Sequence, residues 1–330
     1  MKKFIVRIFP FLVFCVLITI MIPVSIDPYN VFHVNHVRDN GIEPNKNYIK
    51  MSYVLENPDK FDGFLFGSSR VGAIHVDKIK DINCYNMTYS MGMPEEHLEN
   101  IKTLLKNGIV PKKIYMGVDS LSYTSDVESH KSEPIRASYE YLTTDRLAFA
   151  ELYLNVRMVI DSMQVSAAYQ GNNNAMDAFY ESGWTFDYGT ESKAEYLDSP
   201  EPSIGTEMNL DETLKDIAAI RDICKENDIE LIIFTNPMYE VTYKASVEND
   251  YKLFLQKLAQ ISDYYNFSGI NTISVNKDNY IDTSHFKPEV GDIMIRCMVN
   301  GQVDQNLLEQ GFGWYVTKDN VNDLCELLFD

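Results

Sequence analysis

The chain has 330 residues, room for one large domain or two small ones. Its 48 acidic residues outnumber 29 basic ones, for a net charge of -19, which argues against nucleic acid or an anionic membrane surface as the main partner. Five widely spaced cysteines fit neither a disulfide scaffold nor a zinc site, and the four after Cys15 are expected as buried thiols.

Lys2, Lys3 and Arg7 precede a nearly uncharged apolar stretch over residues 8–26, long enough to cross a bilayer as one helix. Basic residues on its leading side predict a cytoplasmic N-terminus and a cell-membrane protein whose remaining chain lies outside the cytoplasm. No small-x-small site follows, so residues 1–26 read as a retained signal anchor. Cys15 within it is a lipid-facing or packing residue. Residues 27–60, broken by Pro28, Pro44 and Pro58, read as a juxtamembrane stalk packed on the domain, with a helix around 47–55.

From residue 61 the pattern becomes strand, helix, strand. Residues 61–66 form a short apolar strand ending at Gly67, and a turn or helix start follows over 70–80. Residues 84–91 read as a second strand and loop. Pro94 opens a helix with Leu98, Ile101, Leu104 and Leu105 on one face, and residues 113–118 form a strand that ends at Asp119. Residues 132–202 interrupt the rhythm with a helical portion over 138–168 and an aromatic stretch holding Trp184, Phe186 and Tyr188. Such an insertion serves either as a lid or substrate platform, or as plain helical decoration.

The second half resumes with a helix over 212–227, a strand over 230–235, a helix over 248–262, a strand over 270–274 and a helix over 289–299. A closing strand and helix are expected within 301–330. This order predicts an α/β domain over 61–330, a three-layer parallel sheet with helices on both faces.

In open parallel sheets, ligands gather at the carboxyl ends of the strands. Ser69, Asp119, Asn236 and the loop holding Asp282 and His285 would all fall on that edge. A serine hydroxyl becomes a nucleophile when an imidazole takes its proton and a carboxylate orients the imidazole. Ser69, His285 and Asp282 supply those groups. Taken singly, Ser69 and Asp282 could instead cap the turns that follow them. His33, His36, His75, His97 and His130 lack partner patterns and are expected at the surface. No phosphate loop, dinucleotide fingerprint or metalloprotease helix is present, so no cofactor or metal is expected.

The block Phe66-Gly67-Ser68-Ser69 and the block Asp282-Thr283-Ser284-His285 resemble the first and last blocks of the SGNH (GDSL-type) hydrolases. The resemblance implies a flavodoxin-like SGNH fold with Ser69 as nucleophile, His285 as base and Asp282 as orienting acid, Ser68 standing where the family has aspartate. The resemblance is closer to the membrane-anchored branch with Gly-Ser-Ser blocks, which includes the protein that helps transfer D-alanine to teichoic acids and relatives acting with polysaccharide O-acetyltransferases.

Residues 86–92 resemble the second block, and Gly117-Val118-Asp119 carries aspartate where many members have asparagine. The oxyanion donors would then be backbone amides of Ser69 and of Ser90 or Gly92, with the Asn236 amide. Asp119 is expected to bind Arg70 or Ser68 instead. What the resemblance implies is a membrane-anchored esterase or O-acyltransferase for acyl groups of a surface glycan, with a multi-spanning membrane acyltransferase as a possible partner. The competing expectation is a binding or assembly protein that keeps the fold without turnover.

Overall fold

A computed structural model describes residues 2–80, 82–168, 175–184 and 191–329. The chain opens with helix α1, Lys2–Ile26. Its Ile8–Ile26 stretch has a mean hydropathy of 2.6 and is only 6 % buried, so it is long and apolar enough to span a membrane. Residues 9–17 are exposed, whereas Ile18, Thr19, Ile22, Pro23, Val24 and Ile26 are at least partly covered. All of these but Val24 share one helical face, and the domain sits against it.

Helix α2, Lys46–Glu56, starts where the Asn45 side chain accepts the Tyr48 amide. The same side chain donates to the Ala137 carbonyl at 2.8 Å and the Tyr153 hydroxyl at 2.7 Å. Ile49, Met51 and Val54 are buried in the main apolar cluster. The segment read as a stalk is thus also a piece of the core.

Six strands form one sheet: β1 Gly63–Phe66, β2 Cys84–Asn86, β3 Lys113–Val118, β4 Glu230–Thr235, β5 Tyr264–Asn266 and β6 Trp314–Val316. They lie in the order β2-β1-β3-β4-β5-β6. The first five are parallel and β6 is antiparallel to β5, which departs from the all-parallel expectation. Successive strand residues point to opposite faces. Accordingly Phe64 and Phe66, Ile114 and Met116, and Ile233 join one apolar cluster, while Leu65, Tyr115 and Phe234 join another.

Helix α3, Pro94–Lys106, carries proline at its first turn, where the missing N–H is not needed. The expected helix over 138–168 is three helices, α4 Tyr139–Thr144, α5 Arg146–Tyr153 and α6 Val156–Ala168. Asp145 breaks the first join, its side chain capping Leu147 and Ala148. Helices α7 Ala175–Ser182 and α8 Ala194–Asp198 follow. Trp184 is described, whereas Phe186 and Tyr188 of the aromatic stretch lie outside the described residues.

Helix α9, Leu210–Glu226, leads into β4. The expected helix over 248–262 is α11 Tyr251–Ile261; an unexpected helix, α10 Glu240–Val247, precedes it, and the two are separated at Asp250 in a left-handed conformation of φ 60°. Helices α12 Pro288–Asn300, α13 Gln305–Glu309 and α14 Val321–Phe329 complete the chain. The strand expected over 270–274 is a turn, because Asn271 Oδ1 accepts the amides of Ile273 and Ser274 at 3.0 Å each. Strand β5 lies upstream of it.

Helices α2, α3, α9, α11 and α14 supply the first cluster, and α12 supplies much of the second. Both faces of the sheet are therefore covered, as a parallel sheet requires.

Candidate active site

Strands β1, β3 and β4 each lead into a polar residue at the carboxyl edge of the sheet. After β1, Gly67 takes φ 153° and Ser69 opens a short 3-10 turn, Ser69–Val71, capped by the Ser68 hydroxyl. Ser68 pairs with Tyr89 as an extension of the β1 and β2 pairing, which brings Ser90 and Gly92 alongside. Asp119 follows β3 and Asn236 follows β4. The Asp282 and His285 loop is held by a bridge between Tyr280 and Phe286.

The loop shapes itself around Asp282. Its Oδ1 accepts the Ser284 and His285 amides at 2.8 and 2.9 Å, and both carboxylate oxygens meet His285 Nδ1, at 2.9 and 3.0 Å. On the other side of the ring, His285 Nε2 lies 2.9 Å from Ser69 Oγ. Burial pushes the Asp282 carboxyl up, but the hydrogen bond and charge of His285, with the two amides, outweigh it and hold the group below its ordinary value. An ionised carboxylate only accepts, so Nδ1 carries the ring proton and Nε2 is left to accept the serine proton. The side chains of His285 and Asp282 are 24 % and 19 % exposed, and Ser69 is half-buried. The relay is open to a ligand.

Beneath it lies a buried charge network. Arg70 Nη1 donates to Asp119 Oδ1 at 2.8 Å, and the two side chains are 1 % and 2 % exposed. Of the two partners expected for Asp119, the structure has Arg70. Arg70 Nε donates to Ser284 Oγ at 3.1 Å, and its Nη2 reaches the Ser203 carbonyl. One guanidinium thus ties the Ser69 turn to the His285 loop and to the chain leaving the insertion. Sequence reasoning missed Ser284 and Ser203 in this role; Ser284 lies inside the motif itself, whereas Ser203 carries no signal.

Two of the expected oxyanion donors are differently employed. The Gly92 amide donates to the Tyr89 carbonyl at 3.2 Å, closing the turn. Asn236 Nδ2 donates to Asp119 Oδ2, and the Ser90 hydroxyl bonds Glu43. Gly92 is needed for another reason: a Cβ there would lie 2.7 Å from the Gly67 carbonyl oxygen. Glycine at 92 thus lets the first and second strand ends approach.

Two histidines expected at the surface are buried. His130 Nδ1 lies 2.9 Å from Glu96 Oε1. His97, on the inner face of α3, is 1 % exposed beside Phe66 and Tyr89. Neither of its ring nitrogens has a hydrogen-bond partner among the described residues, and burial pushes the imidazole down to about 3.

No protein-family model matches the chain, and no curated protein matches it.

Proposed function

We propose that the protein is a membrane-anchored serine esterase or O-acyltransferase acting outside the cytoplasm on acyl groups of a surface glycan. The observation that carries this reading is the unbroken relay from Ser69 through His285 to Asp282, with contacts of 2.9 Å on each side of the ring. Supporting it are the strand order 2-1-3-4-5, common to flavodoxin-like sheets, the resemblance of the two blocks to SGNH hydrolases, and an apolar N-terminal span.

In the proposed reaction, Ser69 Oγ attacks the acyl carbon as its proton passes to His285 Nε2. The tetrahedral intermediate collapses, the alkoxide leaving group takes that proton, and an acyl-serine remains. His285 then deprotonates water or a sugar hydroxyl, which attacks the acyl-serine and restores the enzyme. Esterase and transferase share the first half and differ only in the acceptor. A multi-spanning membrane acyltransferase would be a natural source of acyl groups on this reading.

A binding or assembly role without turnover is favoured by one observation, the engagement of the Gly92 and Asn236 amides away from Ser69. A fluorophosphonate probe separates the two. Stoichiometric labelling of the folded protein that disappears in Ser69→Ala supports the enzyme; absence of labelling supports the binder.

A further inference from the structure

Nineteen residues, Ile8–Ile26, rise about 28 Å as a helix, close to the ~30 Å hydrocarbon thickness of a bilayer. The half from Ile18 onward is not free, because α6 packs against α1. The direction of α6 follows from its neighbours. The ring of Tyr153, just before it, packs obliquely near Tyr29 and edge-on near Phe32, at 6.1 and 6.5 Å, and Asp161 in its middle accepts from the Tyr29 hydroxyl at 3.0 Å. Since Tyr29 lies just past the end of α1, the second half of α6 runs back along α1, toward the membrane.

The outer side of α6 has a matching composition. Val156, Ile160 and Met163 are 66, 51 and 59 % exposed, and their spacing puts them on one helical face. Arg157 and Gln164 are exposed beside them, and the Arg157 guanidinium stands 3.9 Å from Asp161. A long basic side chain flanking an apolar stripe is the pattern of a helix lying at the headgroup level, where the charge reaches water and the apolar residues reach acyl chains.

We infer that α6 is a lipid-contacting helix, seated beside the second half of α1 at the outer leaflet of the bilayer, so that the domain rests on the membrane at two adjoining helices. The inference rests on the reading of α1 as a membrane span. It implies a fixed attitude of the domain, and with it of Ser69, toward the lipid surface.

The test uses the full chain in vesicles of phosphatidylcholine with phosphatidylglycerol. In a Cys15→Ser background, nitroxide labels are attached at Ile160→Cys and Met163→Cys, with Leu12→Cys as the reference inside the span and Leu253→Cys, on the exposed face of α11, as the reference in water. The ratio of oxygen to nickel-chelate accessibility is read at each. At 160 and 163 it should lie several-fold above the Leu253 value and toward that of Leu12. Water-like values at 160 and 163 with a lipid-like value at 12 would overturn the inference, leave the span intact, and point to a protein partner for the stripe. Water-like values at all of these sites would overturn the span as well.

Discussion

Arg70, the residue after the candidate nucleophile, faces Asp119 at 2.8 Å with both side chains shut off from water. Removing one partner strands a buried charge, which typically costs about 3–5 kcal/mol. Arg70→Ala should therefore lower unfolding free energy in denaturant titrations by that order. In an Asp119→Ala background the same substitution should cost clearly less, because no stranded carboxylate remains. Equal costs in the two backgrounds would remove the pair from any account of stability.

Ser69→Ala and His285→Ala should each cut acyl transfer by about a thousandfold or more, with the double variant little worse, since groups acting as one unit lose most of their effect at the first deletion. Asp282→Asn should be milder. Ser68→Ala is the matched control: among the described residues its hydroxyl caps only the Arg70 amide, at 3.3 Å, so it should lose about 1 kcal/mol of stability and keep turnover. Retained turnover in purified Ser69→Ala, with loss in Ser68→Ala, would move the nucleophile one position.

A pH dependence of stability follows from His97. Its folded value lies at about 3, below the ordinary 6.5, so the unfolded chain takes up a proton that the fold refuses. The associated stability is complete above about pH 6.5 and declines as pH falls toward 3, at about 1.4 kcal/mol per unit. His97→Leu should flatten that acid limb in denaturant titrations at pH 4, 5 and 7. An unchanged slope would mean that His97 does not titrate with unfolding. Asp282, held low, acts in a separate window: its contribution is present above the ordinary carboxyl value and is lost as pH falls below it.

Gly92→Ala places a methyl group against the backbone oxygen of Gly67, where no side chain can swing aside. The strand ends beside Ser69 would have to part, at a cost of about 1–3 kcal/mol. Fluorophosphonate labelling should slow together with the loss of stability. Wild-type values for both would show that the turn has slack.

Protease added outside intact spheroplasts should degrade the domain, as expected from the basic residues ahead of the α1 span. Protection of the domain, or a shortened soluble form in the medium, would reverse the topology or the anchoring.

Where apolar runs were long and punctuated, the sequence was informative. Strands β3 and β4 lie at the residues expected, because their alternating apolar residues fill both sheet faces. Strand β5 was hidden: Tyr264-Tyr265-Asn266 looks polar, and its neighbours on β4 and β6 decide its state. The more apolar segment downstream is bent by Asn271, whose side chain competes with strand pairing. His97 could have been placed inside, since Ile101 and Leu104 follow it at helical spacing on the buried face of α3. Ser69, Asp282 and His285 were legible because each lies in a compact local motif. The reach of Arg70 was not, because its partners come from positions 119, 203 and 284 and meet only in the finished sheet.

The contact between Ser69 and His285 joins residues 216 positions apart. Closing a flexible loop of that length costs about 5 kcal/mol in chain entropy, offset only once β1 through β5 have been laid side by side. Before that moment the serine has no base and is an ordinary alcohol. A chain still emerging, or one that has opened at either strand end, is therefore chemically silent toward esters. Reactivity of Ser69 toward a probe would then serve as a reporter of native assembly, vanishing in denaturant along the same curve as the sheet.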